Sequence, residues 1–269
     1  MPITLLSPAA APILLARAPT VLDARSLLRF LADGHIPGSI RCSWKTATAG
    51  LPLDGRLADP DVAAATYAGM GVRDDKPVLV VGDWDRGWGE EGRVAWDLDY
   101  LGHGDVRILL GGIHAWTGPR ARLPAQPGPS SGANAVFSAN PRDARRVSTP
   151  ALRKALASER PPLVIDARET GEFAGATPHG ESRGGHIPGA VSLPWRWVLG
   201  LPPEARRVRF AAFLADHDSI VVTCTGGVRS GFVVALLDEA GVGPVANHDD
   251  GMWGWARSDA ALVVGASST

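Results

Sequence analysis

The chain has 269 residues, of which 45% are hydrophobic and 20% are charged, and its formal net charge is −1. A chain of this size can bury one large core or two ordinary ones, so we expect two domains. The near-zero net charge provides no general attraction to nucleic acid or to an anionic membrane, and we predict partners of neither kind. The sequence contains no uncharged apolar run near the roughly 18 residues that a membrane span needs. Because there are only two cysteines, we predict no disulfide framework and expect a cytoplasmic protein.

The first half alternates short apolar runs with stretches of helical period. Ser7-Pro8 is typical of a helix start, and the runs from Thr20 to Asp23 and from Val78 to Val81 predict buried strands. This alternation favours parallel strands that are covered by helices on both faces. The predicted fold class is therefore α/β, with a mostly parallel sheet flanked by helices.

The second half repeats this pattern after a stretch rich in Pro, Gly, Ala and Ser. Ser148 followed by Thr149-Pro150 predicts a capped helix that runs to about Ser158. Leu163 to Asp166 and Ile220 to Thr223 predict strands, and the helix that follows should end near Gly241. We place the first domain at residues 1–122, a linker at 123–135 and the second domain at 136–269.

Three landmarks occur twice in the same order, which indicates a tandem duplication. Val21-Leu22-Asp23-Ala24-Arg25 corresponds to Val164-Ile165-Asp166-Ala167-Arg168. Gly34-His35-Ile36-Pro37-Gly38 returns as Gly185-His186-Ile187-Pro188-Gly189, and a Gly-x-x-x-Trp ending closes each copy at Trp116 and Trp255. The identical setting of His35 and His186 in both copies favours a scaffold role for these histidines.

Cys224 follows a predicted strand and begins the segment Cys224-Thr225-Gly226-Gly227-Val228-Arg229-Ser230, directly before a predicted amphipathic helix. The two glycines allow the backbone to turn its N–H groups inward, and the helix N-terminus and Arg229 add positive potential. A cysteine in this setting should be acidic and reactive. The corresponding segment of the first copy, Val80-Val81-Gly82-Asp83-Trp84, contains no thiol.

These features together resemble the tandem-domain rhodanese family of thiosulfate and 3-mercaptopyruvate sulfurtransferases, and the resemblance covers nearly the whole chain. It implies that only the second domain is catalytic and that Cys224 carries sulfur as a persulfide. A donor such as thiosulfate would load the sulfur, and cyanide or a thiol would remove it. The predicted substrate-binding residues are Arg168, Thr225, Gly226, Gly227, Val228, Arg229 and Ser230.

The two arginines of this set and the second cysteine have alternative interpretations. Arg229 can neutralise an anionic donor or brace the loop against a carboxylate. Arg168 resembles an arginine that family members place beside the nucleophile, yet Arg25 holds the same place in the silent copy, so a structural role is equally open. Cys42 is interpreted as a small packed residue, with a second redox thiol as the alternative.

Several functions remain open at this stage. Thiosulfate is favoured as donor, and the alternative is 3-mercaptopyruvate. Enzymes that use 3-mercaptopyruvate commonly have an arginine at the position before Phe173, where this chain has Glu172. Arg183 in the inserted loop is a possible substitute for that arginine. Other classes are a persulfide carrier with little turnover, or a cysteine phosphatase or arsenate reductase, whose usual Cys-x5-Arg spacing is longer than the Cys224-x4-Arg229 found here. We predict no cofactor and no metal, and we expect a monomer because the silent copy can cover one face of the active copy.

Overall fold

In a computed structural model the protein is described over residues 3–50, 52–122 and 136–265. The chain divides into two compact units. The first unit comprises Met1–Ala47 and Leu57–Arg142, and the second comprises Thr48–Arg56 and Asp143–Thr269. The predicted linker at 123–135 lies outside the described residues, so the domain boundaries stay a prediction.

The first unit contains a five-stranded sheet in which every strand pair is parallel. The strands are β1 (Thr4–Leu6), β2 (Thr20–Asp23), β3 (Ile40–Arg41), β4 (Val78–Val81) and β5 (Val106–Leu109), and their order in the sheet is β1-β5-β4-β2-β3. β4 is buried along its whole length, as expected for a central strand covered on both faces. The predicted strands at Thr20–Asp23 and Val78–Val81 are thus confirmed.

Five α-helices belong to the described part of the first unit. They are α1 (Ala11–Leu15), α2 (Leu27–Ala32), α3 (Pro60–Gly69), α4 (Glu90–Tyr100) and α5 (Gly112–Ala115). α4 is buried from Glu91 to Tyr100, although several of these residues are charged.

The second unit contains a four-stranded parallel sheet in the order β7-β6-β8-β9. Its strands are β6 (Leu163–Asp166), β7 (Val191–Ser192), β8 (Ile220–Thr223) and β9 (Val245–His248). β6 and β8 are the two predicted strands of this half, and both are buried throughout. The carboxyl ends of parallel strands lie on one edge of a sheet, where α/β proteins usually bind ligands.

The helices of the second unit are α6 (Thr149–Leu156), α7 (Thr170–Ala174), α8 (Trp195–Gly200), α9 (Pro203–Leu214), α10 (Val228–Glu239) and α11 (Gly251–Arg257). The predicted start of α6 is confirmed, because the Ser148 side chain accepts a hydrogen bond from the backbone of Ala151. The predicted amphipathic character of the helix after Cys224 is wrong. α10 is buried continuously from Arg229 to Leu237, so it has no solvent-exposed polar face over this stretch.

The duplicated landmarks have the same structural roles in both units. Arg25 donates to Asp23 and to the carbonyl of Gly34, and Arg168 donates to Asp166 and to the carbonyl of Gly185. Each pair is buried and ties a strand end to the turn that contains the Gly-His-Ile-Pro-Gly motif.

The histidines of that motif also occupy equivalent places. His186 stacks on Phe173 with ring centroids 3.6 Å apart, and its Nδ1 lies 2.9 Å from the carbonyl oxygen of Phe173. His35 stacks on Phe30 at 3.9 Å. This geometry agrees with the expected scaffold role of His35 and His186, because each ring packs at the turn of its own motif.

Within the part of the chain that the structure describes, no helix combines the length and the apolar character that crossing a membrane requires.

Candidate active site

Cys224 lies at the carboxyl end of β8, at the start of the loop that leads into α10. The Ser230 hydroxyl donates to the Cys224 Sγ atom over 3.3 Å, and both residues are buried. Cys224 is 1% exposed. The sulfur therefore lies at the bottom of the loop, where only a slender group can reach it without rearrangement of its neighbours.

The carbonyl groups of the loop are held on its outer side. The carbonyl oxygen of Cys224 accepts from the Met252 amide at 2.8 Å, and that of Thr225 accepts from the Trp253 amide at 3.0 Å. The carbonyl oxygen of Gly227 accepts from Nδ2 of Asn247 at 3.1 Å. In a trans peptide the N–H of the next residue points opposite to the carbonyl.

This geometry turns the amides of three loop residues, Thr225, Gly226 and Val228, toward the inner side of the loop. The first turn of α10 adds N–H groups that have no partner within the helix. Together these groups form a concave arrangement of donors that can stabilise an anion, such as a thiolate or a persulfide.

Arg229 braces the loop against a carboxylate. Its two terminal nitrogens donate to the Glu172 carboxylate at 2.6 and 2.8 Å, and Nη2 also donates to Oγ1 of Thr225 at 2.7 Å. The Arg229 and Glu172 side chains are 4% and 5% exposed. Of the two roles considered for Arg229, the geometry favours bracing, because the fork of the guanidinium faces Glu172.

The charges of this pair are stabilised in the ionised form. Burial alone would raise the pKa of Glu172, but the hydrogen bonds and charge of Arg229 outweigh burial and hold the pKa below its usual value. Burial would likewise lower the pKa of Arg229, but its hydrogen bonds with Glu172 and the negative charges around it raise the pKa above its usual value. The pair therefore remains ionic at every physiological pH.

Arg168 lies apart from the loop contacts just described. It is 1% exposed, and its guanidinium is occupied by Asp166 and by the Gly185 carbonyl. Because Arg25 makes the same contacts in the first unit, the geometry favours the structural alternative for Arg168.

The inserted loop between α7 and Gly185 places a second acid beside the catalytic loop. Glu181 is 7% exposed, and its Oε1 lies 3.3 Å from Oγ1 of Thr225. Its other oxygen accepts from the His179 amide, and the carbonyl of His179 accepts from the Trp253 indole. Among the described residues no ion pair to Glu181 is present, so it contributes a buried negative charge at the edge of the loop.

Arg183 does not face the loop as a substitute clamp for a substrate carboxylate. Its guanidinium donates to the carbonyls of Ala256, Ser258 and Ala260 at 2.7 to 2.9 Å. These carbonyls lie at or just beyond the C-terminus of α11, where a cation is favourable. Arg183 therefore closes a helix end.

A buried histidine supports the strand that carries the nucleophile. Nδ1 of His248 lies 2.9 Å from Oγ1 of Thr223, and Nε2 lies 3.0 Å from Oγ1 of Thr149. Burial lowers the pKa of His248, and nearby acids only partly oppose this effect. A neutral imidazole fits between the two hydroxyls, because each hydroxyl can either donate or accept.

The equivalent pocket of the first unit is filled by a carboxyl group. The strand register pairs Asp23 with Val81 and Asp166 with Thr223, so Gly82 is the counterpart of Cys224. A Cβ atom added at Gly82 would lie 2.2 Å from Oε2 of Glu91. The carboxyl group at this position is thus that of Glu91 on α4.

In the first unit, the backbone of the loop that begins at Gly82 is arranged around Glu91. Trp84 has φ of +57°, an unusual value for a bulky residue, and its amide donates to Oε1 of Glu91 at 2.8 Å. Oε2 is buried without a hydrogen-bond partner among the described residues. Burial raises the pKa of Glu91 to about 8, with Glu90 and Asp83 adding to the shift.

Among the described residues, one group has metal-ligating side chains whose ligand atoms lie close together: Asp33, Asp83 and His114 of the first unit. Arginines already lie against two of its members. Arg29 forms an ion pair with Asp83 at 3.1 Å, and Arg86 lies 3.4 Å from Nδ1 of His114. We therefore assign no metal to this group.

Cys42 is fully buried in the first unit. Burial, together with the charge of Asp97, raises the pKa of its thiol to about 12. A thiol of this kind stays protonated at neutral pH and is a poor nucleophile. The geometry favours the packing interpretation over that of a redox thiol.

The predicted site residues Cys224 and Thr225 to Ser230 form one continuous loop, and their catalytic roles stay a prediction. Glu181, Asn247, Met252 and Trp253 also contact this loop, and these contacts were not predicted from the sequence. Glu172 was noticed only as the absence of an arginine. The available sequence signal for the Glu172–Arg229 pair was an acid beside a phenylalanine in the same domain as the loop arginine.

Comparisons with known proteins agree with this architecture. The family model for the rhodanese-like domain matches residues 10–119 and 148–258. A thiosulfate sulfurtransferase of Corynebacterium glutamicum is 30% identical over 235 residues, which cover 82% of this chain and 76% of that protein. A 3-mercaptopyruvate sulfurtransferase of Escherichia coli is 29% identical over 252 residues, which cover 88% of this chain and 86% of that protein.

A solved structure has the same fold over almost the entire length. The crystal structure of the Tum1 protein from Saccharomyces cerevisiae superposes with a TM-score of 0.80 at 21% identity, and the match covers 99% of this chain and 100% of that chain. The two family matches, the two parallel sheets and the cysteine loop lead to the same conclusion. The chain belongs to the rhodanese family of sulfurtransferases and contains two rhodanese-like domains.

Proposed function

We propose that this protein moves a sulfane sulfur from thiosulfate to cyanide or a thiol through a persulfide on Cys224. The Cys224 thiolate attacks the outer sulfur of thiosulfate, the S–S bond of thiosulfate breaks, and sulfite leaves with the bonding electron pair. The acceptor then attacks the outer sulfur of the persulfide and restores the thiolate. With cyanide as acceptor the product is thiocyanate.

The observation that carries this proposal is the setting of Cys224. Its sulfur lies at a strand end, before the N-terminus of a 12-residue helix, with the Ser230 hydroxyl 3.3 Å from Sγ. The loop carbonyls face outward, which turns amides toward the inner side where a sulfur anion would lie. These donors need no reorganisation when charge develops on sulfur, which is how such groups stabilise a transition state.

Two features favour thiosulfate over 3-mercaptopyruvate. The position before Phe173 holds Glu172, whose charge is committed to Arg229, and Arg183 is bound to three backbone carbonyls. Neither provides a clamp for the carboxylate of mercaptopyruvate. The low exposure of Cys224 also favours slender reactants, which include thiosulfate and cyanide and exclude a folded protein as direct partner of the resting loop.

The alternative of a cysteine phosphatase or arsenate reductase is disfavoured by Arg229. An oxyanion-binding arginine must present its N–H groups to the substrate, whereas both terminal nitrogens of Arg229 face Glu172. We also infer a cytoplasmic location, supported by two free cysteines and the need of a working thiol for a reducing compartment. The monomeric state stays a prediction that size-exclusion chromatography can test.

The proposal is tested by intact-mass spectrometry after incubation with thiosulfate. We expect the wild-type protein to gain the mass of one sulfur atom and to lose it on addition of cyanide. Cys224→Ser should neither load sulfur nor turn over, since a hydroxyl is a poor nucleophile at its usual pKa. The matched control Cys42→Ser should behave as wild type. Loading that persists in Cys224→Ser and disappears in Cys42→Ser would contradict the proposal.

A further inference from the structure

A short segment from the first half of the sequence packs on the catalytic loop. Residues 48–56 lie in the sequence of the silent copy, yet they belong to the second compact unit. We call Pro52–Arg56 the strap. Within it Gly55 is buried, and a Cβ atom added there would lie 2.1 Å from the carbonyl oxygen of Gly226 and 2.5 Å from its carbonyl carbon.

The strap is fastened to the second unit at several points. Arg257 at the end of α11 donates to the carbonyl of Leu53. The Leu53 side chain packs where a Cβ of Gly180 would lie, 3.2 Å away. The Arg56 guanidinium forms a two-point contact with Asp54, and the charges of Asp249 and Asp250 also act on it. Gly55 is thus held against the loop from both sides.

The carbonyl group of Gly226 lies directly against the backbone of Gly55. The carbonyl of Gly226 and the amide of Gly227 share one peptide plane and point in opposite directions. With the carbonyl held against Gly55, the Gly227 N–H points to the inner side of the loop, with the amides of Thr225, Gly226 and Val228.

The other face of Gly226 is closed as well. A Cβ added at Gly226 would lie 2.3 Å from the ring of Trp253. The Gly226 backbone is therefore confined between an indole ring and the backbone of Gly55. A methyl group on Gly55 cannot be accommodated by a side-chain rotation, because its nearest neighbours are backbone atoms.

We propose that Gly55 is a positioning residue of the active site, which fixes the Gly226–Gly227 peptide so that its N–H faces the sulfur carried by Cys224. The strap, which comes from the first half of the sequence but belongs to the second unit, thereby completes the anion-stabilising loop that begins at Cys224. This inference rests on the proposed sulfur transfer through Cys224. It predicts that both sulfur loading and sulfur release depend on a residue that touches neither the sulfur nor the substrate.

The test compares Gly55→Ala with Gly50→Ala in the full-length protein. The nearest heavy atoms to a Cβ at Gly50 are 3.4 Å away and belong to the Asp54 side chain, so this control makes the same chemical change in ordinary contact. In Gly55→Ala we expect kcat for thiosulfate:cyanide transfer to fall roughly 10- to 100-fold, which is less than the roughly 100- to 1,000-fold loss on removal of one oriented donor, because the N–H is displaced and not removed. KM for thiosulfate should change less than about twofold, since the lost N–H acts on the transition state.

A second readout does not depend on activity. Hydrogen exchange of the amides from Thr225 to Val228 should accelerate at least about tenfold in Gly55→Ala and remain unchanged in Gly50→Ala, because the loop loses its fixed geometry. If Gly55→Ala does not fold, Arg257→Met replaces it. That variant releases the Leu53 carbonyl without adding a clash, and it should lower kcat several-fold with unchanged KM.

The outcomes separate the two proposals. A wild-type protein without turnover of thiosulfate refutes the proposed function, and the exchange experiment then decides the role of Gly55 alone. Wild-type kcat and wild-type loop exchange in Gly55→Ala would overturn the inference. Equal losses in Gly50→Ala and Gly55→Ala would also overturn it, because the effect would then belong to the segment and not to the contact with Gly226.

Discussion

Replacing Glu91 by Gln should make the stability of the first unit far less dependent on pH. Glu91 fills the place that the Cys224 side chain occupies in the other copy. Burial, with the charges of Glu90 and Asp83, raises its pKa from 4.5 to about 8. In the folded protein at neutral pH the carboxyl is therefore protonated, whereas in the unfolded chain it is ionised.

The sign of the effect follows from proton counting. Between pH 4.5 and about 8 the folded state holds one more proton than the unfolded state, so the free energy of unfolding falls as the pH rises. The contribution of Glu91 is fully present below about pH 4.5 and is lost once the pH passes about 8. One pKa unit corresponds to about 1.4 kcal/mol, so the whole window amounts to about 5 kcal/mol.

Glutamine is isosteric with the protonated acid and does not titrate, so the variant lacks this slope. The Trp84 amide can still donate to its Oε1 atom, as it donates to that of Glu91. From pH 5 to pH 8 the variant should gain about 4 kcal/mol relative to wild type. With a urea m-value of about 2 kcal/mol per molar, the midpoint difference between the two proteins should widen by about 2 M.

The assay is urea unfolding at pH 5, 6.5 and 8, with hydrogen-exchange pulse labelling to follow the peptide that contains β4 and hence the first unit alone. Glu90→Gln is the matched control, because it makes the same change one residue away at a partly exposed carboxyl. Its pH dependence should stay close to that of wild type, because burial dominates the raised pKa of Glu91 and the charge of Glu90 adds only a smaller part. A Glu91→Gln protein whose stability follows pH as steeply as wild type would refute the interpretation of Glu91 as a buried, protonated acid.

Two further predictions concern the acids around the catalytic loop, and Glu204→Gln serves as the exposed control for both. Glu172→Gln leaves the buried Arg229 guanidinium without its carboxylate. This change should destabilise the second unit by about 3 kcal/mol in urea unfolding and should reduce sulfur transfer. The control should unfold like wild type. Wild-type stability in Glu172→Gln would contradict the bracing role. Glu181→Gln removes a buried negative charge beside Thr225, so kcat/KM for the dianion thiosulfate should rise roughly threefold to tenfold, and the gain should shrink at 1 M salt. A gain that is insensitive to salt, or no gain, would show that Glu181 does not act on the donor through its charge.

The sequence predicted four of the nine strands found in the described residues, because the signals of these four are local. Thr20–Asp23, Val78–Val81, Leu163–Asp166 and Ile220–Thr223 are short apolar runs between turn residues, and each is a strand in the structure. The duplicated Asp-Ala-Arg and Gly-His-Ile-Pro-Gly motifs could be read as a repeat because they occur in the same order in both copies, although the loop lengths between them differ. The α/β class and the two rhodanese-like domains followed from these patterns.

The contacts that complete the site were not predictable in the same way, because they join residues far apart in sequence. Glu172 meets Arg229 across 57 positions, and no periodicity or spacing relates the two. Helix α10 was expected to be amphipathic from its composition, yet it is buried continuously from Arg229 to Leu237. The sequence of one helix does not reveal how many neighbours cover it, since burial is decided by the elements that pack around it.

The two halves differ at one equivalent position in a way that explains how a duplicated scaffold loses its chemistry without losing its stability. Gly82 has no side chain at the position equivalent to Cys224. An empty space at this position would leave loop N–H donors buried without a hydrogen-bond partner, which destabilises the folded state. The Glu91 carboxyl occupies that space, and its Oε1 atom accepts a hydrogen bond from the Trp84 amide. Burial raises the pKa of this carboxyl group to about 8, so the group keeps its proton at neutral pH. In the second unit the corresponding space contains Cys224, whose sulfur takes up and releases a second sulfur in the function that we propose. The same loop position thus holds either a buried internal acid or, under that proposal, a transferable sulfur.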